Sequence, residues 1–190
     1  MTIPSIFIMS NQSHTSKFFI HGYQSSPDGD KATLLKNSLN VIPIRYRYCE
    51  PEQLEISSCI DEIRKAIGTS SQPVIIGSSL GGFLAAKIAL DLKQSTLILL
   101  NPAIIPPDVD VSCISDMPQR ILEDMKDYLL FEQRINARII LFIGTNDKVV
   151  PNRWGIEFAK AQEAEVHFFY DDHRFSRYLK ELPKIITNVL

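Results

Sequence analysis

The sequence predicts an α/β protein built on a mostly parallel sheet with helices on both faces. Three observations carry this expectation. Short β-rich runs alternate with helical patterns along the chain. Three of those runs are almost continuously apolar, as strands covered on both faces must be. The 190 residues, 45% of them apolar, suit one domain with a sizeable core.

The strand runs fall at residues 17–20, 40–45, 74–76, 96–100, 138–143 and 165–170. The third, fourth and fifth are the nearly continuous apolar ones and are expected at the centre of the sheet. The second carries Pro43, which cannot donate to a ladder on both sides and belongs at or near an edge. Residues 1–12 are compatible with an extra edge strand or with no regular structure.

The helical runs have the matching 3.6-residue period. Leu34, Leu35 and Leu39 mark a first helix starting near residues 28–30. Leu54, Ile56, Ile60, Ile63 and Ile67 mark a second, stopped by Gly68. A third, over 80–92, carries Gly81, Gly82, Ala85 and Ala86, small residues that let a helix backbone approach a sheet. Ile121, Leu122, Met125, Tyr128 and Leu129 place another over 118–131, with Asp116 as its cap. Phe175, Tyr178, Leu179, Leu182, Ile185, Ile186 and Val189 repeat at helical spacing to the end, where Pro183 is expected to kink or split the helix. Residues 102–137 interrupt the alternation and are read as a cap or pocket-forming insertion within a single domain spanning 1–190. An insertion at the carboxyl ends of central strands commonly shapes a ligand site.

Composition narrows the function classes. A net charge of −2 gives no electrostatic reason for a nucleic-acid partner. The apolar patch in residues 3–9 lacks a preceding Lys or Arg and is too short for a membrane span or signal-peptide core. The three cysteines, Cys49, Cys59 and Cys113, form no metal-spaced pair, and their odd number argues against a disulfide framework. A soluble chain in a reducing cytoplasm is the expectation, with no metal, no organic cofactor and an open oligomeric state.

The chemistry concentrates at strand ends. Val74, Ile75 and Ile76 run into Gly77-Ser-Ser-Leu-Gly81 and then directly into the small-residue helix. This is G-x-S-x-G in its meaningful context of strand, tight turn and helix. The glycines two positions to either side of Ser79 permit a turn that forces the serine into a strained conformation. Its hydroxyl then stands at a strand's carboxyl end and a helix's amino terminus, where free N–H groups and the helix dipole favour an anion. Ser79, flanked by Gly77 and Gly81, is the candidate nucleophile, and Ser78 is its neighbour.

A serine needs a base, and the base needs an orienting acid. Strand 138–143 leads into Gly144-Thr-Asn-Asp147, and strand 165–170 leads into Asp171-Asp-His173. Asp147 is therefore the candidate acid and His173 the candidate base, with Asn146, Asp171 and Asp172 as competitors for the acid role. His167 lies inside a strand and is expected to pack on one face, while His14 precedes the first convincing strand. After the first strand comes His21-Gly-Tyr-Gln-Ser-Ser-Pro27. Acyl transfer needs two N–H donors for the developing oxyanion. The backbone N–H groups of Leu80 and Tyr23 are the candidates, with Gly22 and a backbone-bonded His21 shaping the loop.

With these residues in place, the chain resembles compact single-domain bacterial serine esterases of the α/β-hydrolase superfamily, the group often called YqiA-like esterases. The likeness runs from His21-Gly-Tyr-Gln-Ser-Ser-Pro27 through Gly77-Ser-Ser-Leu-Gly-Gly82 and Asn101-Pro-Ala103 to Gly144-Thr-Asn-Asp147 and His173. It implies a trimmed α/β-hydrolase fold of six parallel strands in the order 2-1-3-4-5-6, beginning at the third strand of the full fold. It also implies hydrolysis of a small-molecule carboxylic ester or thioester. Tyr23 stands where similar sequences often carry Phe. A peptidase or an acyltransferase with the same triad, and a non-catalytic binding module, are the rival readings. The apolar content of residues 103–135 suggests an apolar acyl group.

Overall fold

The computed structural model of the protein describes residues 16–190. The question of an edge strand in the first dozen residues lies outside the described residues. Among these residues six parallel strands form one sheet in the order β2-β1-β3-β4-β5-β6. They are β1 (Lys17–Ile20), β2 (Ile42–Pro43), β3 (Val74–Ser78), β4 (Ser95–Leu100), β5 (Ala137–Gly144) and β6 (Glu165–Phe169). This is the strand order the resemblance implies. The order reverses between β1 and β3, and in open parallel sheets such a reversal leaves a crevice at the carboxyl ends of the strands.

Strand β2 is shorter than residues 40–45. Asn40 takes a left-handed conformation (φ 53°) that ends the preceding helix, and Pro43 has no N–H for the ladder. One further bond, Ile44 N–H to Phe19 O at 2.9 Å, closes the edge.

Strict alternation of side chains divides the core in two. On one face, Phe18, Ile20, Ile75, Leu97, Leu99, Ile139, Leu141 and Ile143 pack against α2 (Ile56–Ile67), α3 (Leu80–Ala89) and α6 (Asn152–Gln162). On the other, Phe19, Ile76, Ile98, Leu100, Ile140 and Phe142 pack against α1 (Asp30–Leu39) and α7 (Leu182–Val189). Gly68 stops α2 with φ +58° and donates to Arg64 O, the left-handed ending that glycine makes cheap.

The helices depart from expectation in four places. Residues 118–131 hold two short helices, α4 (Gln119–Asp124) and α5 (Leu129–Glu132). The carboxylate of Asp127 accepts the Leu129 N–H at 3.1 Å, an Asx-type turn just before α5 that competes with continuation of α4. Asp116 does not cap α4: Pro118 occupies the cap position and no side chain bonds there. Helix α6 had not been expected, although Trp154, Gly155, Phe158 and Ala159 bury one face of it. At the carboxyl end a 3₁₀ turn (Leu179–Glu181) precedes α7, and Pro183 sits in the first turn of α7, where its missing N–H costs nothing.

Residues 102–137 dock onto the core rather than standing off it. Ile104, Ile105, Ile121 and Leu130 are fully buried against the α2–α3 face. The Arg120 guanidinium donates to Leu54 O (2.8 Å) and Glu52 O (3.0 Å), and Lys87 on α3 pairs with Asp127.

Candidate active site

The strand β3 to helix α3 turn has the geometry a nucleophile elbow requires. Ser79 has φ 55° and ψ −122°, a region that a non-glycine residue enters only under strain. Its N–H donates to Leu100 O (3.0 Å), and its carbonyl accepts from Gly82 N (2.8 Å) and Ala103 N (3.1 Å), so both sides of the strained residue are held. The motif's glycines are a matter of space. A Cβ at Gly77 would lie 2.4 Å from Gly81 O, and one at Gly81 would lie 2.0 Å from Ile20 O. No side chain fits at either position, because α3 runs directly over the ends of β1 and β3.

Asp147 and His173 meet. The carboxylate Oδ2 of Asp147 lies 2.7 Å from His173 Nδ1, with the Asp147 side chain 1% exposed and the imidazole 17%. The other oxygen, Oδ1, accepts the N–H groups of Val149 (2.8 Å) and Val150 (2.9 Å). Among the described residues, no competitor for the acid role bonds the His173 ring. Asp171 accepts the backbone N–H groups of Asp172, Arg177 and Tyr178. Asp172 accepts those of Arg174 and Ser176; burial pushes its carboxyl pKa up, but these hydrogen bonds outweigh it and the net shift is downward. Asn146 spends its N–H on Asp171 O. Among the described residues His173 makes no hydrogen bond to the Ser79 hydroxyl, so the candidate acid and base are joined and the candidate base and nucleophile are not. Free hydrolases commonly tighten that second contact only around substrate.

The loop after β1 lies against the serine. A Cβ on Gly22 would sit 3.2 Å from Ser79 Cβ and 3.7 Å from its Oγ. The Gly22 carbonyl accepts from His21 Nδ1 (2.9 Å) and Ser25 N (3.2 Å), with the Tyr46 hydroxyl at 3.4 Å. Because the peptide is planar and trans, pinning that carbonyl also fixes the Tyr23 N–H, which points the opposite way. Among the described residues, the N–H groups of Tyr23 and Leu80 donate to no carbonyl.

His21 is 1% exposed, and burial lowers its pKa to about 4, so it is a neutral donor to the loop backbone and not a base. His167 packs edge-on against Phe142 at 5.5 Å and contacts Glu165, far from the elbow.

Sequence reasoning gave Tyr46 no role. Its ring stacks on His21 at 4.3 Å and its hydroxyl donates to His21 O at 3.0 Å. The inward alternation of Ile44 and Tyr46 beyond β2 was the available signal. Lys31 also went unnoticed. Its ammonium lies 3.0 Å from Ser78 Oγ and 5.7 Å from the Phe175 ring; burial lowers its pKa to about 8 against the opposing pull of Asp172 and Asp171. Nothing in a linear pattern pairs those residues.

Tyr23 also borders an open cavity of about 500 Å³, whose other walls include Glu52 and Ile114, Asp116, Met117 and Gln119. The apolar side chains of 103–135 were expected to favour an apolar acyl group. Ile104, Ile105, Ile121, Leu122 and Leu130 are instead buried in the core, and the cavity wall left by the segment is mixed in polarity.

The model of the uncharacterised protein family UPF0227 matches residues 16–189. The chain belongs to that family. No curated protein matches its sequence. Solved structures share the fold at low identity. Est1E from Butyrivibrio proteoclasticus, determined with ferulic acid bound, superposes with a TM-score of 0.72 at 16% identity, over 95% of this chain and 90% of that one. Mouse alpha/beta hydrolase domain-containing protein 10 gives 0.73 at 17% identity over 93% and 89%. An alpha-beta serine hydrolase homologue from Coxiella burnetii gives 0.64 at 16% identity over 92% and 85%. Thus this UPF0227 member has the architecture of α/β-superfamily hydrolases from end to end of its described residues. Among those residues no helix is long and apolar enough to cross a membrane, and no cluster of His, Cys, Asp and Glu has the makings of a metal site.

Proposed function

We propose that the protein is a serine hydrolase that cleaves a carboxylic ester or thioester through an acyl-enzyme on Ser79. The observation that carries this reading is the 2.7 Å Asp147–His173 pair at the strand ends beside a positive-φ serine between two glycines that admit no side chain. His173 takes the Ser79 proton as Oγ attacks the substrate carbonyl. Asp147 holds the proton on Nδ1, leaving Nε2 free to act as base, and stabilises the imidazolium that forms. The N–H groups of Leu80, at the start of α3, and of Tyr23 receive the oxyanion, and each such donor contributes about 3 kcal/mol to the transition state. His173 then returns the proton to the leaving alcohol or thiol, and water repeats the attack on the acyl-enzyme. This chemistry calls on no metal or organic cofactor.

Residues 102–137 serve as the pocket wall in this reading, since residues 114–119 line the open cleft beside Tyr23. The mixed lining suits an acyl or alcohol part that combines an apolar body with hydrogen-bonding groups. Est1E carries ferulic acid, an aromatic carboxylic acid, so aromatic esters belong among the substrates tried. The free cysteines Cys49, Cys59 and Cys113 fit a reducing compartment, and we place the protein in the cytoplasm.

The test is labelling with a fluorophosphonate probe alongside hydrolysis of short-chain, long-chain and aromatic esters and of thioesters. Wild-type protein is expected to label and turn over at least one class, and Ser79→Ala to do neither. Labelling that survives Ser79→Ala ends the proposal.

A further inference from the structure

Asn101, the residue just past β4, is 3% exposed, and its side-chain amide is engaged in three directions. Its Oδ1 accepts the Gly144 N–H at 2.7 Å. Its Nδ2 donates to Asp172 O and to His173 O, each at 3.1 Å. Gly144 opens the loop that carries Asp147, and Asp172 and His173 belong to the loop that carries the base. One amide therefore spans the two loops whose side chains meet as the Asp147–His173 pair. The backbone of Asn101 is tied in as well: its N–H donates to Phe142 O at 2.9 Å, and the carbonyl of the residue before it, Leu100, accepts the Ser79 N–H.

The surroundings leave little room for substitutes. Asn101 has φ 44°, a left-handed conformation that Asn, Asp and Gly adopt far more readily than other residues. Only Asn among these presents an acceptor and two donors from one planar group, and the site uses all three. Gly144 is matched to it. A Cβ there would lie 3.2 Å from Asn101 Nδ2 and 2.7 Å from Asp171 O, so the base loop passes directly over the end of β5.

We infer that Asn101 is a positioning residue for catalysis, holding the acid-bearing and base-bearing loops in the register that aims His173 at Ser79. The inference rests on the serine-hydrolase reading above. Asn101 touches no substrate; it acts through the backbone at Gly144, Asp172 and His173. Losing its donors frees the carbonyl of the base residue itself, and a misplacement of about 1 Å at a reacting group is enough to cost a hundredfold in rate.

Two variants separate positioning from folding. Asn101→Asp keeps the shape, the left-handed backbone and the acceptor for Gly144 N–H, but loses the donors to the base loop. Asn101→Gly keeps the backbone and removes the bridge. Each is compared with wild type and with Ser79→Ala using kcat per active site, the sites counted by burst titration with a fluorophosphonate. Expected is a tenfold or greater fall in kcat per titrated site with KM within threefold of wild type. An unchanged kcat per titrated site, with only the fraction of titratable sites reduced, overturns the inference, because a purely structural residue changes how many molecules are folded and not how fast each works. Loss of the folded state in both variants, read by circular dichroism, overturns it equally. If Ser79→Ala retains labelling, the serine-hydrolase reading has failed first, and the inference falls with it.

Discussion

Replacing Asp147 by Asn tests the acid–base pair with almost no change of shape. The carboxylate uses both oxygens: Oδ2 faces His173 Nδ1 at 2.7 Å, and Oδ1 accepts two backbone N–H groups at 2.8 and 2.9 Å. An amide has one oxygen. If its NH2 faced Val149 and Val150, donors would oppose donors, at about 1–3 kcal/mol for each bond left unmade. The oxygen therefore stays with the two N–H groups, and the NH2 turns to His173. Nδ1 must then accept, which moves the imidazole proton to Nε2, the atom that has to take the proton of Ser79. Triads with this wrong tautomer lose about 10⁴ in kcat, equivalent to about 5 kcal/mol of activation free energy at 1.36 kcal/mol per decade. The assay is steady-state hydrolysis of the best ester from the panel, with the melting temperature measured in parallel to show that the fold persists. A folded Asp147→Asn protein that keeps more than a tenth of wild-type kcat refutes the reasoning, because the 2.7 Å contact would then not be setting the tautomer.

Three further outcomes are expected. Ser79→Gly should abolish turnover yet raise stability: relief of the φ 55° backbone is worth about 1–3 kcal/mol, glycine's extra chain entropy takes back about 0.5–1 kcal/mol, and a net gain of about 1 kcal/mol appears as a higher urea midpoint; a lower midpoint counts against strain at this residue. Tyr46→Phe keeps the ring stacked on His21 but removes the hydroxyl bonded to His21 O; stability should fall by about 1 kcal/mol and kcat by several-fold with KM little changed, and an unaltered kcat separates that hydroxyl from the oxyanion loop. Burial holds the folded-state pKa of His21 at about 4, against about 6.5 in the unfolded chain. The unfolded chain thus binds a proton that the folded one refuses, and stability declines as pH falls from about 6.5 to about 4, by up to about 3 kcal/mol from this residue alone. Denaturation curves for His21→Gln over that range should show a shallower acid loss, and equal slopes would assign the loss to other groups.

Much of the sheet was legible because strands buried on both faces leave continuous apolar runs, and β3, β4 and β5 were found within a residue or two at each end. The candidate site was legible for a related reason: chemistry at the carboxyl ends of parallel strands lies just past those runs in sequence, as Asp147 and His173 do. Local competition was harder to see. The Asp127–Leu129 turn lies at the break in what reads as one helix over 118–131, and the periodicity on either side of it is unbroken. Helix α6 is a different case, since Trp154, Phe158 and Ala159 carried an ordinary amphipathic signal. Asn101 and Tyr46 could not have been given their partners from sequence. Their contacts join segments far apart in the chain, and a hydrogen bond between distant segments leaves no period.

The contact between Gly81 and the end of β1 divides the chain for anyone wishing to change what it acts on. With Ile20 O only 2.0 Å from where a side chain at 81 would begin, the elbow and the oxyanion loop are locked to one another, and neither can be remodelled without the other. The exposed segment around Ser115 and Asp116 has no such neighbour and borders the cavity beside Tyr23. A substitution library across 77–82 should return almost only inactive protein, whereas one across 112–119 should return folded enzymes with redistributed ester preferences. If the proposed hydrolase reading holds, selectivity is therefore a property that can drift while the reaction itself stays fixed.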